Sequence, residues 1–118
     1  MKKVLIIDDE FDIIEPLDLL LTEAGYSVQT ITKGEETYEK VEHFAPDIIL
    51  LDVLLSGSDG RIICKNLKNA KKTGKIPIIL MSAHPNANAD SVGCNADAFI
   101  PKPFTTSELL TLIKLHCK

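Results

Sequence analysis

The chain has 118 residues, of which 45% are hydrophobic and 25% are charged, a composition typical of one globular domain. It has no Trp and a formal net charge of −4; an acidic surface repels a phosphate backbone, so this chain is not expected to bind nucleic acid by itself. Its 3 cysteines are an odd number without metal-type spacing, which excludes a disulfide framework and favours a reducing, cytoplasmic location.

The first half of the chain is predicted to alternate between strands and helices. Residues 4–7 form a short β-branched run typical of a buried parallel strand. The run ends at acidic residues, too soon for a signal peptide or a membrane span. An apolar stripe predicts a helix over 13–24, with Asp12 and Glu15 as its capping pair. Residues 27–32 are predicted to be an edge strand.

The second half continues the same alternation. A capping box at Thr32 and Glu35 predicts a helix that ends near Phe44. The remaining predicted elements are a strand at 48–51, a helix at about 61–70, a strand at 76–81, a helix at 84–95, a strand at 98–100 and a final helix behind a capping box at Thr105 and Glu108. The helix at 84–95 is expected to be short, because Asn, Asp, Ser and Gly are weak helix formers.

Strand and helix alternate five times, and this pattern predicts an α/β fold. Right-handed crossovers would place helices on both faces of one parallel sheet. For five such units we expect the flavodoxin-like, doubly wound five-stranded sheet with strand order 2-1-3-4-5 and five helices. No linker or internal repeat interrupts the pattern, so residues 1–118 are expected to form a single domain.

Reactive side chains follow the predicted strands, at the edge where open parallel sheets bind ligands. Asp8 and Asp9 follow the first strand, Asp52 the third, Ser82 the fourth and Lys102 the fifth. Carboxylates gathered in one site repel one another and attract a cation, and oxygen ligands suit Mg²⁺. A lysine and a hydroxyl suit the oxygens of a phosphoryl group. The sequence therefore predicts a joint site for a divalent metal and a phosphoryl group.

Three further motifs accompany the acidic residues: Asp59-Gly60, Ser82-Ala83 and Lys102-Pro103-Phe104. In order and spacing, the set resembles the receiver domain of two-component response regulators, from Lys3 to about Leu115. The resemblance implies a signalling switch that is not an enzyme, although it assists its own phosphorylation and dephosphorylation. The implied phosphodonor is a sensor histidine kinase or a histidine phosphotransfer protein. The implied recipient of the signal is a downstream effector or a fused output domain.

The resemblance also assigns roles around the metal. Asp52 would be the phosphoacceptor. Asp9 would bind Mg²⁺ directly and Asp8 largely through water, with Asp52 and the backbone carbonyl of Leu54 as further ligands; Mn²⁺ is an alternative ion. The first helix and the loop near Pro103 would dock the phosphodonor. The candidate docking contacts are Leu17, Asp18 and Phe104.

A second group of implied roles concerns the switch. Lys102 and Ser82 would bind phosphoryl oxygens, and the Lys102–Pro103 peptide bond would be cis. Phe99 would be the switch aromatic, turning inward as Ser82 moves toward the phosphoryl group. Phosphorylation would then change the surface of the fourth helix, fifth strand and fifth helix, around residues 86–99 and 105–115.

Three other functions compete with this interpretation. A haloacid-dehalogenase-like phosphatase needs a second acid two residues after its nucleophile, where this chain has Leu54. A flavin-binding flavodoxin relative needs a first loop that cradles phosphate, whereas Asp8-Asp9-Glu10 would repel it. The third alternative keeps the fold but is a phosphorylation-independent interaction or dimerisation module.

Overall fold

The continuous apolar runs of the sequence form strands in the computed structural model, which describes residues 1–83 and 92–117. The strands are β1 (Lys3–Ile7), β2 (Ser27–Ile31), β3 (Ile48–Asp52), β4 (Leu54–Leu55), β5 (Ser58–Asp59), β6 (Ile78–Ser82) and β7 (Ala98–Pro101). The helices are α1 (Phe11–Glu23), α2 (Thr37–Phe44), α3 (Gly60–Asn69) and α4 (Thr106–His116), with 3₁₀ turns at Gly34–Glu36 and Val92–Cys94.

Five strands form one parallel sheet in the order β2-β1-β3-β6-β7. Because β4 and β5 pair only with each other, this is the predicted order 2-1-3-4-5 of the major strands, and the flavodoxin-like fold is confirmed. The described residues contain four α-helices rather than five. Most of the helix predicted over 84–95 lies outside them; Asn95 has the expected left-handed backbone, with φ of 63°.

Both faces of the sheet are covered by apolar side chains. One cluster packs between the sheet and helices α2 and α3, and the other between the sheet and helices α1 and α4. Every residue of β3 and β6 is buried, which explains why these strands are continuous apolar runs without alternation. Each fully buried Leu or Ile contributes roughly 1.5–3 kcal/mol to folding.

One of the three predicted capping boxes is confirmed. The Thr105 side chain accepts a hydrogen bond from the Glu108 amide, and the Glu108 side chain accepts one from the Thr105 amide, each 3.1 Å long. The Asp12–Glu15 box is wrong, because α1 begins at Phe11 and the amides of its first turn bond to the Glu10 carbonyl. Asp12 therefore lies inside the first turn.

The Thr32–Glu35 box is also wrong. A 3₁₀ turn begins at Gly34, and α2 begins only at Thr37. Gly34 packs so closely on the β4–β5 hairpin that an added Cβ would lie 2.7 Å from the Ser58 Cβ. This contact joins residues far apart in sequence, and the residue before the turn, Lys33, makes no side-chain cap. None of the helices that the structure describes is long and apolar enough to cross a membrane.

Candidate functional site

The predicted reactive residues meet at the carboxyl edge of the sheet. Asp8 directly follows β1, Asp52 ends β3, Ser82 ends β6 and Lys102 follows β7. Since the strands are parallel and adjacent, all of these positions lie at the same edge. Carboxylate oxygens of Asp8, Asp9, Glu10 and Asp52 lie within 4.8 Å of one another. The sequence-based prediction that these groups converge is confirmed for the acidic residues; Glu10 belongs to the cluster although it was not a predicted ligand.

The ammonium group of Lys102 lies inside this acidic cluster. Its Nζ is 2.8 Å from an Asp8 oxygen, 3.3 Å from Glu10 and 3.4 Å from Asp52. The Lys102 side chain is only 8% exposed, and those of Asp8 and Asp52 are 0% and 5% exposed. Burial by itself lowers the pKa of Lys102, but the hydrogen bond to Asp8 and the surrounding carboxylates outweigh it and raise that pKa. Lys102 is therefore a charged counter-ion for the cluster.

One lysine does not neutralise four carboxylates, and the remaining negative charge affects the pKa of Asp52. Burial and the negative charge of Asp8 raise the pKa of Asp52 from 3.8 to about 6. The ammonium group of Lys102 lowers the pKa of Asp52, and the negative charge of Asp9 raises it further. The ionised Asp52 carboxylate is thus held in a site with excess negative charge, so an added cation would stabilise it.

The acidic cluster fits a hard divalent cation. Its donors are all oxygens, which Mg²⁺ prefers. Backbone amides orient two of the side chains: Glu10 donates to Asp8 Oδ1 over 3.0 Å, and Ser56 donates to Asp9 Oδ2 over 2.9 Å. The remaining carboxylate oxygens are the groups that would hold the ion.

The backbone behind Asp52 requires glycine at residue 60. A Cβ added to Gly60 would lie 2.1 Å from the Asp52 carbonyl oxygen. The Gly60 amide donates to the Val53 carbonyl over 2.7 Å, and the Val53 amide donates to the Met81 carbonyl over 2.9 Å. These contacts hold the end of β3 in place and give the Asp59-Gly60 motif a physical reason.

Asp59 caps the helix that starts at this glycine. Its side chain accepts a hydrogen bond from the Arg61 amide, and it also pairs with the Arg61 guanidinium at 2.8 Å. The hydrogen bond from the Arg61 side chain lowers the pKa of Asp59. Unlike Asp52, Asp59 is thus stabilised in its ionised form. Its carboxylate is used for local structure.

Residues 4–114 match the model of the response regulator receiver domain. The chain belongs to this family. It is 31% identical, with a TM-score of 0.91, to the signal receiver domain of a signal transduction histidine kinase from Syntrophus aciditrophicus, over 99% of this chain and 90% of that one.

Two further receiver structures are similar over nearly the whole chain. The chemotaxis protein CheY4 from Vibrio cholerae is 26% identical, with a TM-score of 0.90, over 98% of both chains. A two-component response regulator from Clostridium difficile is 27% identical, with a TM-score of 0.88, over 98% of this chain and 94% of that one. Receiver domains are signalling domains that bind Mg²⁺ at an acidic pocket and interact with histidine kinases and output domains. In the described part of this chain, the cluster of Asp8, Asp9, Glu10 and Asp52 has oxygens that could hold such an ion.

The remaining predicted residues lie around the cluster. Ser82 is 2% exposed, and its carbonyl accepts a hydrogen bond from the Lys102 amide over 2.9 Å. The Lys102–Pro103 bond is cis, as expected. Phe99 is partly buried against the core cluster beneath α2 and α3. Leu54 pairs with Asp59 in the β4–β5 hairpin, and its side chain is 55% exposed.

The expected docking contacts differ in accessibility. Leu17 is only 3% exposed and packs in the core between the sheet and helices α1 and α4, so the prediction that its side chain contacts a partner is wrong. Asp18 accepts a hydrogen bond from Thr22 over 3.1 Å. Phe104 is partly buried against the same core. The helical stripe that placed Leu17 on the inner face of α1 was the signal that it is a core residue.

Proposed function

We propose that this receiver domain, residues 1–118, accepts a phosphoryl group on Asp52 from a phosphohistidine of a sensor histidine kinase or a histidine phosphotransfer protein. The observation that supports this proposal most directly is the pairing of two buried, opposite charges at the sheet edge: Asp52 Oδ1 lies 3.4 Å from Lys102 Nζ. The carboxylate is the nucleophile, and the ammonium group is placed to bind an oxygen of the incoming phosphoryl group.

In the transfer step, a bond forms between an Asp52 carboxylate oxygen and phosphorus as the bond from phosphorus to the histidine nitrogen breaks. The chain contributes position and charge, which are the main sources of catalysis in phosphoryl transfer. Lys102 stabilises negative charge on the phosphoryl oxygens. A Mg²⁺ ion held by Asp8, Asp9, Asp52 and the Leu54 carbonyl, with Glu10 beside them, would supply further positive charge to the same oxygens.

Phosphorylation adds roughly −1.5 to −2 charge units to a site that already has excess negative charge. Lys102 would shift part of its bonding from Asp8 and Glu10 to the phosphoryl group. Ser82 would donate its hydroxyl to another phosphoryl oxygen, and Phe99 would turn inward in response. These changes bias an equilibrium between two conformations. The surface around β7 and α4, with the segment before β7, would transmit the change to an effector or a fused output domain.

Intact-protein mass spectrometry after incubation with acetyl phosphate tests the proposal. We expect one added phosphoryl group that requires Mg²⁺ and is absent from Asp52→Asn. Asp12→Asn removes an exposed carboxylate of α1 and should be phosphorylated like the parent protein. No adduct with either acetyl phosphate or a phosphohistidine donor would contradict the proposal and favour a phosphorylation-independent interaction module. An adduct that persists in Asp52→Asn would contradict the assignment of the acceptor.

A further inference from the structure

A second candidate site lies away from the acidic cluster, in the groove between α2, α3 and the loop that follows α3. The groove has a volume of about 700 Å³, within the range of sites that bind ligands. Its apolar lining includes Val41, Leu67 and Ile76. It extends to Pro46 and Ile76, which precede β3 and β6, so it reaches the amino ends of the strands, opposite to the acidic cluster.

Polar groups of both helices border this groove. The Asn66 side-chain amide donates a hydrogen bond to the Tyr38 hydroxyl over 2.9 Å, which links α3 to α2. Val41 and Leu67 beneath them are each 3% exposed. The combination of an apolar floor with a few polar groups is typical of a binding site for an amphipathic ligand.

The two edges of the groove differ in charge. The stretch from residue 61 to 75 contains six basic residues and no acidic one. Lys68 is used within the fold, because it pairs with Asp97 at 2.9 Å and bonds to the Ile76 carbonyl at 3.1 Å. Lys71, Lys72 and Lys75 are exposed and make no hydrogen bond or ion pair with any other residue that the structure describes. Lys72 lines the groove itself, and Lys71 and Lys75 are exposed in the same loop after α3.

We propose that this groove binds an acidic peptide segment of a partner protein. One or two apolar side chains of the segment would fill the space over Val41 and Leu67, and its carboxylates would pair with Lys71 and Lys72. Glu42 lines the α2 edge, so a polyanion that filled both edges would be repelled there. This asymmetry, with the net charge of −4, favours a short one-sided acidic segment over a nucleic acid.

The probe for this proposal is a fluorescein-labelled 12-residue peptide with Leu on one helical face and Glu on the other. We expect saturable binding, measured by fluorescence anisotropy, that weakens as salt is added. Replacing every Glu of the peptide by Lys, or every Leu by Ser, should abolish binding. Amide resonances of residues 41–46 and 66–76 should shift during a titration followed by NMR, while those around Asp52 stay unchanged.

Two protein variants with the same change in net charge provide the control. Lys72→Glu should weaken peptide binding at least tenfold, whereas Lys114→Glu, at an exposed position of α4, should change it less than twofold. Equal losses in both variants, or peptide shifts outside the groove, would overturn the proposal. Both variants should still be phosphorylated by acetyl phosphate, because neither residue belongs to the acidic cluster, so this result is independent of the proposed phosphotransfer.

Other occupants give distinct results, each of which would overturn the assignment to a peptide. A nucleic-acid site would bind a 20-base-pair DNA duplex, and a lipid site would bind phosphatidylglycerol vesicles, with the same dependence on Lys72 and without affinity for the peptide. A self-association site would give a dimer in sedimentation velocity that Lys72→Glu dissociates. No binding of the peptide at millimolar concentration would also reject the proposal.

Discussion

The interior of β3 and the residue that ends it at the carboxyl edge are both buried but differ in chemistry. Leu50 and Leu51 of β3 are 0% exposed, and Asp52, the next residue, is 4% exposed. Burial of the two leucines stabilises the fold, whereas burial raises the pKa of Asp52 and so opposes its ionisation. One strand thus stabilises the domain along most of its length and ends in a group that is costly to bury.

The largest effect that tests this contrast is expected in the interior. Leu50→Ala should lower the free energy of unfolding by about 2–5 kcal/mol, because it removes buried methyl groups and leaves a cavity. The matched control is Leu19→Ala on α1, where the side chain is 63% exposed; it should cost less than about 0.5 kcal/mol. Urea denaturation measures both variants. Equal costs at the two positions would contradict the burial pattern.

At the carboxyl edge, Asp52→Asn is expected to raise the free energy of unfolding at pH 7.5, whereas Leu50→Ala lowers it. Without divalent metal, Asp52 has a pKa of about 6 in the folded protein, against 3.8 for an unperturbed Asp side chain. The folded state therefore binds more protons than the unfolded state in this interval, and the contribution of Asp52 to stability decreases as pH rises through it. At pH 7.5 the ionised group costs roughly 2–3 kcal/mol. Asp52→Asn should recover a large part of that free energy.

Chemical denaturation in EDTA, at several pH values, measures this effect. The parent protein should lose stability between about pH 4 and pH 6 relative to Asp52→Asn, and the variant should be the more stable one at pH 7.5. Asp12→Asn, which alters an exposed carboxylate, should follow the parent. A variant less stable than the parent at pH 7.5 would show that the pairing with Lys102 outweighs burial.

Gly60→Ala tests how closely the backbone at the end of β3 must be packed. The added Cβ would clash with the Asp52 carbonyl, so the end of β3 must move. We expect a loss of about 1–3 kcal/mol in stability, together with slower phosphorylation by acetyl phosphate. Gly93→Ala is the control, since a Cβ there meets no atom of the described residues within 4 Å. Normal phosphorylation of Gly60→Ala would show that the reaction tolerates a shift of the Asp52 backbone.

The smallest effect on stability is expected at the start of α4, which is not part of the β3 interior or the acidic cluster. Thr105→Ala removes one half of the capping box of α4 and should cost about 1 kcal/mol, measured as a lower midpoint of thermal unfolding. Thr106→Ala, at the first helical residue and exposed, should cost less. Equal costs would mean that helix propensity rather than the cap determines the difference.

Much of the site could be predicted because the order and direction of the strands determine which residues meet. Once 4–7, 48–51 and 76–81 are recognised as parallel strands, the residues after them must lie at one edge. Asp8 and Asp52 were placed together on that basis, and the structure confirms it. The contribution of Glu10 was harder to predict, because it depends on how the chain turns from β1 into α1 and on the reach of Lys102 across the sheet.

Local signals failed where contacts between distant segments decided the backbone. The Thr32–Glu35 pattern predicted a cap, yet the turn begins at Gly34, which packs against Ser58 of a distant segment. The β4–β5 hairpin was not predicted, because two-residue strands carry no periodicity; its only signal was Gly57, which has a φ of 79°. Leu17 matched both a core position and a docking contact, and only burial distinguished them.

The sequence by itself determined the fold class, because hydrophobic runs and helical patterns alternate along the chain. The strand order and the edge at which the acidic residues meet then follow from the rules for five-stranded parallel sheets. The tertiary structure alone decided the charge balance of that edge and the shape of the groove between α2 and α3. The pKa of Asp52 depends on burial and on charges from Asp8 and Lys102, and the groove depends on how two helices pack. Both are sums of interactions between segments that are distant along the chain, so no local pattern encodes them.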